Sequence, residues 1–190
     1  MKRFILIIFL FLGGCDLLST RAPEEPENRP RNYLVPTTAD LVISNLKESL
    51  KDGYVEYYLE CFADQTFINK KFRFIPAASA LQSFPVFNDW GIEGEKQYFN
   101  KLKSLLKENT GVSLTFSDLE YNPQGSGSTI VTASYNLSFQ GKDTSFPSQY
   151  QGFLQLNLST DNRGQWVIVE WIDFKKDNFN SWSELKGRLY

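Results

Sequence analysis

Val131-Thr132-Ala133-Ser134-Tyr135-Asn136-Leu137-Ser138-Phe139 alternates without a break, with apolar side chains at the odd positions and Thr, Ser or Asn at the even ones. Successive side chains of an extended chain point to opposite faces, so this period of two marks a strand with one buried and one wet face. Upstream, Val112, Leu114 and Phe116 alternate in the same way. A switch of parity at Leu119 and Tyr121 then predicts a bulge near Ser117. Residues 124–128 supply a Gly/Ser turn between these two strands. Downstream, Tyr150, Gly152, Leu154, Leu156 and Leu158 make a third strand, and Asp161-Asn162-Arg163-Gly164 a hairpin turn. Residues 165–174 are apolar on nearly both faces, as in the middle of a sheet. Four long antiparallel strands therefore occupy the second half.

The first half reads as helices. Thr37 or Thr38 can cap one, with Asp40 in its first turn, and Leu41, Val42, Leu46 and Leu50 keep helical spacing until Asp52-Gly53. A shorter helix over residues 54–62 turns Val55, Tyr58, Leu59 and Phe62 inward. Residues 67–75 alternate weakly, as a strand or hairpin, and residues 77–90, with Pro85, are irregular. A third helix over about residues 93–108 carries Phe99, Leu102, Leu105 and Leu106 on one face and ends at Asn109-Thr110-Gly111. Near the C-terminus, Trp182, Leu185 and Leu189 form a short amphipathic closure over the core, with a partner-docking tail as the alternative.

At the other end, Lys2-Arg3, an apolar run over residues 4–12 and Gly13-Gly14 lead into Cys15. Basic, then apolar, then small is the order of a secretory signal. The run spans on the order of 14 Å as a helix, against roughly 30 Å of hydrocarbon, so it is too short to cross a bilayer. A cysteine directly behind the small residues resembles a bacterial lipobox. That resemblance implies removal of residues 1–14 and a diacylglyceryl group on Cys15; ordinary signal cleavage with Cys15 merely nearby is the alternative. Residues 15–36, with Pro23, Pro26, Pro30 and Pro36 among Glu and Arg, read as the lipidated cysteine and a disordered stalk. The folded domain is then expected over residues 37–190. The expected address is the bacterial cell envelope, at the inner or outer membrane, with the domain in the periplasm or at the cell surface. With Cys15 acylated, Cys61 has no disulfide partner and is expected to be a buried small hydrophobe.

The net charge is −2, and about −4 once Lys2 and Arg3 leave with the signal, which excludes the basic stripe of a nucleic-acid binder. The chain has no histidine and two cysteines, so neither a metal-ligand cluster nor a cofactor is expected.

The helix pair joined at Lys51-Asp52-Gly53, the segment Leu59-Glu60-Cys61-Phe62-Ala63-Asp64 leading into Phe67, and the four-strand run resemble the nuclear-transport-factor-2-like superfamily, also called ketosteroid-isomerase-like. The flanks, residues 21–31, Phe72-Arg73-Phe74, Phe87-Asn88-Asp89-Trp90 and residues 182–189, resemble bacterial lipoproteins of this fold. The resemblance implies an α+β cone, in which three helices of the first half pack on a strongly curved, mainly antiparallel sheet and leave a concave pocket. It also implies where chemistry would sit. The isomerase base falls near Asn69 or Lys70 and the phenol donor near Leu46, so neither group is present, and dehydratase relatives use a histidine this chain lacks. Asp64 reads as a helix terminator. Glu170 and Asp173 remain as carboxylate candidates, with Tyr135 and Trp171 expected beside them in the pocket. For Glu170, a salt bridge or a bulge that exposes it is the alternative. The expected function is a non-catalytic, lipid-anchored module that binds a small apolar ligand or an envelope protein, with a homodimer as a further partner. An isomerase or dehydratase using Glu170 or Asp173 is the alternative.

Overall fold

The computed structural model describes residues 32–190. The signal segment, Cys15 and most of the expected stalk lie outside the described residues. Residues 33–36, read from the sequence as the end of that stalk, belong instead to the domain. Tyr33 is buried and stacks on Tyr57 with ring centroids 4.2 Å apart. The Asn45 side-chain amide pairs with both backbone groups of Leu34, and the Pro36 carbonyl accepts from the Trp166 amide. Aromatic burial and satisfied backbone groups order a segment whose composition alone argues for disorder.

Helix α1, Ala39–Asp52, ends at Gly53 (φ 72°), whose amide donates to the Ser49 carbonyl. Glycine adopts this left-handed conformation without a Cβ clash. Helix α2, Val55–Glu60, follows at once. Beyond it only Arg73–Ile75 is extended, as β1, in place of the longer strand or hairpin expected over 67–75. The Asp64 carboxylate accepts from the Thr66 amide, and the Asp64 carbonyl from those of Phe67 and Ile68. Local turns thus take the backbone groups a hairpin would need. The stretch read as irregular contains α3, Ala78–Ser83, and a 3-10 turn, Pro85–Asp89, with proline in the first turn. Helix α4, Ile92–Leu105, stops before the expected end near Glu108. There Leu106 bridges to Gly141, and the Lys107 amide donates to the Gln140 carbonyl.

The long strands fall where the alternation puts them: β2 Ser113–Pro123, β3 Ser128–Ser138, β4 Gln149–Thr160 and β5 Trp166–Lys175. The sheet order is β1-β5-β4-β3-β2, antiparallel throughout except for the parallel β1–β5 pair. One bulge lies between Ser117 and Glu120, with Asp118 at φ 54°. A second, on β5 between Ile168 and Glu170, shifts the register against Asn157 and Leu158. Bulges increase bend and twist, so the sheet curls around one apolar face. That concave face presents Val131, Tyr135, Leu137, Tyr150, Leu156 and Trp171, all buried against the helices. The architecture is α+β, with helices on one side of an open, strongly curved sheet.

The C-terminal stretch closes the core. Helix α5, Trp182–Leu189, starts in a capping box: Ser181 Oγ accepts from the Glu184 amide, and the Glu184 carboxylate accepts from the Ser181 amide. Trp182, Leu185 and Leu189 are buried. Gly187 lies against Phe84 so closely that a Cβ there would overlap the ring. Alanine is usually favoured over glycine in a helix interior by about 1 kcal/mol. Here Gly187→Ala is expected to lower the unfolding free energy by about 1–3 kcal/mol, because the extra methyl overpacks the α5–Phe84 contact. Denaturant unfolding measures it, and a stabilised variant would contradict this packing.

Candidate functional site

The concave space that the sequence leaves open as a pocket is occupied by α5. Lys186 and Glu95 are fully buried, and the Lys186 ammonium donates to Glu95 Oε1 at 2.5 Å. The Tyr58 hydroxyl donates to Glu95 Oε2 at 2.7 Å, and the Trp90 indole N–H to Oε1 at 2.8 Å. Lys186 Nζ lies 3.8 Å from the Trp171 ring centroid and 3.9 Å from that of Phe74, within cation–π range. Burial pulls the Lys186 amine below its ordinary value, and the Glu95 charge opposes that pull. Burial, reinforced by Glu95, pushes the Tyr58 phenol well up, so it stays a donor.

A second buried group joins two of the sequence candidates. Asp173 accepts from the Tyr135 hydroxyl at 2.8 Å, from the Ser183 amide at 2.8 Å and from Ser183 Oγ at 2.5 Å. Tyr135 in turn accepts from the Trp182 amide at 2.7 Å, which ties the start of α5 to β3 and β5. Burial raises the Asp173 carboxyl above its ordinary value, against the pull of these donors. Trp171 meets Trp182 edge to face at 4.5 Å and is fully buried. Glu170 sits on the other face of the sheet. It pairs with Arg73, its register partner on β1, and accepts from Asn157 Nδ2 at 2.7 Å. Asp173, Tyr135 and Trp171 are thus brought together around α5, and Glu170 is not. Cys61 is buried, and burial raises its thiol well above the ordinary value.

An open cavity of about 680 Å³ lies elsewhere, beside α2. Its wall takes Glu56, Leu59 and Glu60 from α2, its floor Phe62, Phe67 and Phe72, and its rim Ile92 at the start of α4 and Arg163 from the β4–β5 hairpin. The Arg163 guanidinium lies 3.7 Å over the Phe67 ring and bonds the Asp161 carboxylate at 2.7 and 2.8 Å. Asp64 also lines the cavity, and the Thr66 amide holds its carboxyl below the ordinary value. Among the described residues, no group of three or more His, Cys, Asp or Glu side chains is placed to hold a metal. The sequence reading missed Glu95 and Lys186. The available signal was spacing: Glu95 shares a helical face with Phe99 and Leu102, and Lys186 with Trp182, Leu185 and Leu189.

No family model matches the chain, and no curated protein matches it in sequence. Solved structures do match in shape. A candidate dehydratase of the nuclear-transport-factor-2-like family from Streptomyces avermitilis superposes with a TM-score of 0.56 at 9% identity, over 73% of this chain and 93% of that one. A superfamily protein from Salmonella enterica gives 0.52 at 9%, over 72% and 88%. The fold is the nuclear-transport-factor-2-like cone. A candidate scytalone dehydratase from Novosphingobium aromaticivorans shares this cone, with a TM-score of 0.55 at 12% identity, over 75% of this chain and 89% of that one. Here the interior of the cone holds an ion pair among buried aromatic rings, with Lys186 and Trp182 contributed by its own C-terminal helix.

Asp173 makes that interior sensitive to pH. An unfolded aspartate releases its proton near pH 3.9, whereas the buried carboxyl keeps its proton to higher pH. Between those two values the folded chain binds more protons than the unfolded one, so the contribution of this group to stability falls as pH rises. Asp173→Asn cannot titrate. The unfolding free energy of wild type minus that of the variant is therefore expected to decline as pH rises from about 3.9 through the raised folded value. A difference independent of pH, or one that grows, would contradict the assignment.

Proposed function

We propose that the chain is an exported lipoprotein anchored through Cys15, whose cone domain binds a small ligand with an apolar body in the cavity beside α2 and does not transform it. The observation that carries this reading is the placement of α5. It fills the concave interior and commits Asp173 to Tyr135 and Ser183, while a space of ligand size, roughly 680 Å³, lies open beside α2. Leu59, Phe62, Phe67 and Phe72 give that space an apolar surface. The stretch from Lys2 to Cys15 supports export and anchoring, and the two acyl-type chains such a cysteine receives are what stable attachment needs. A second reading is an isomerase or dehydratase. It draws on the Asp173 carboxyl, raised by burial, beside the Tyr135 phenol and on the shape shared with candidate dehydratases. It requires Trp182 and Ser183 to move away first.

The test follows thermal unfolding and compound consumption together, across a panel of small aromatic and aliphatic compounds, with Ile92→Trp in parallel. Ile92 is exposed at the cavity rim, so the indole narrows the cavity without disturbing the core. A ligand at a hundred times its Kd stabilises by about 2.7 kcal/mol, or roughly 5–10 °C for a domain of this size. Such a shift is expected for a subset of compounds and is expected to vanish in Ile92→Trp, with no compound consumed. Silence of the whole panel would overturn the reading, and turnover abolished by Asp173→Asn would favour the second. For the anchor, intact-mass measurement on chain recovered from bacterial membranes is expected to find a diacylglyceryl-modified N-terminus at Cys15. An unmodified thiol there would contradict it.

A further inference from the structure

We propose that the cavity beside α2 takes an organic cation, an ammonium or guanidinium group carried on an apolar body, whose charge lies among Glu56, Glu60 and Asp64 while the body lies on the phenylalanine floor. The inference rests on reading this cavity as the binding site and names the class of ligand it selects.

The charges around the cavity are unequal. Three carboxylates line it, Glu56, Glu60 and Asp64, against two cations, Lys71 and Arg163. Arg163 is already neutralised by the Asp161 carboxylate, so among the described lining residues Lys71 alone stands against the three. Glu56 and Glu60 are one helical turn apart on the exposed face of α2, and neither bonds another described residue. Asp64 keeps its charge because the Thr66 amide donates to it at 2.8 Å. An anionic ligand would meet this excess of negative charge at the rim, and an uncharged one would leave it unused.

The floor suits the same ligand. Aromatic faces attract cations through their quadrupoles, more strongly where water is partly excluded. The cavity already contains one such contact in cis: the Arg163 guanidinium rests on the Phe67 ring with a carboxylate at its edge. Phe67 is half-exposed there, and Phe62 and Phe72 back the cavity with only their edges reaching it. A ring or alkyl chain laid there, with its cationic end towards α2, repeats the arrangement that the protein makes with its own arginine.

Three probes with one body and different heads test this: phenylbutylamine, phenylbutanol and phenylbutyrate, titrated calorimetrically into the full chain at neutral pH. The amine is expected to bind about five- to twentyfold more tightly than the alcohol, since partly exposed charge pairs contribute up to ~1 kcal/mol each. The butyrate is expected to bind most weakly. Added salt should weaken the amine alone, as screened charge requires. In the double variant Glu56→Gln with Glu60→Gln, the amine should fall to the affinity of the alcohol, whose own affinity stays unchanged. Both glutamates are exposed, and an unchanged melting curve would show the double variant folded. Equal binding of amine and alcohol would overturn the cation inference while leaving the ligand cavity in place. Tightest binding by the butyrate would overturn it too, as would failure of all three probes to bind. The ligand-cavity reading itself falls only if the wider panel is also silent or its binding ignores Ile92→Trp.

Discussion

A single ion pair, Lys186 with Glu95, sits where α4, α5 and the concave sheet meet, and the arrangement of the interior follows from it. Two charges removed from water lose several kcal/mol of hydration each, so the pair is tolerable only if every remaining bonding site is met. Glu95 meets this condition through Tyr58 and Trp90, and Lys186 through the faces of Trp171 and Phe74. Each of these partners must therefore lie within a narrow range of positions. The pair binds the last helix of the chain to a helix nearly a hundred residues earlier, and it fixes α5 in the cone rather than on its surface.

The second buried group, Asp173 with Tyr135 and Ser183, fixes the start of the same helix. Between them, the two groups commit acids and phenols of the kind that elsewhere perform proton transfer to holding α5 in place. Ligand-sized space is displaced outward, to the cavity where α2, the turns after it and the β4–β5 hairpin converge. Its walls come from segments rich in turn chemistry, such as the Asp64–Thr66 and Asp161–Gln165 bonds, and those bonds hold the charged rim without filling it. Tyr33, near the first described residue, lines the same cavity.

The sheet was legible because its residues obey a rule of period two that nothing nearby contests. Val131 to Phe139 shows this directly, and so does the parity switch that located the bulge after Ser117. The α1–α2 joint was legible because Gly53 is one of the few residues that can end a helix that way. The Asp64 turns were not, because a carboxylate accepting a local amide leaves no periodic trace. Nor was the ordering of residues 33–36, where two polar bonds from Asn45 outweigh a composition that favours disorder. The central pair was hidden for another reason. Charged residues on an apolar helix face look individually like defects, and only the fold brings Glu95 and Lys186 together as partners. Glu170, apolar on both sides in sequence, drew attention for its neighbours, yet a bulge turns it to the outer face and to Arg73.

A double-mutant cycle on Lys186→Met and Glu95→Gln, read as unfolding free energy, tests most directly whether the closed interior depends on this pair. Breaking one partner of a buried pair costs about 3–5 kcal/mol, because the other charge is left uncompensated. Each single variant is therefore expected to lose about that much, and the double variant little more, giving a coupling energy of at least about 2 kcal/mol. Additive losses below about 1 kcal/mol each, as for a pair in contact with solvent, would show that α5 does not hold Lys186 inside the cone.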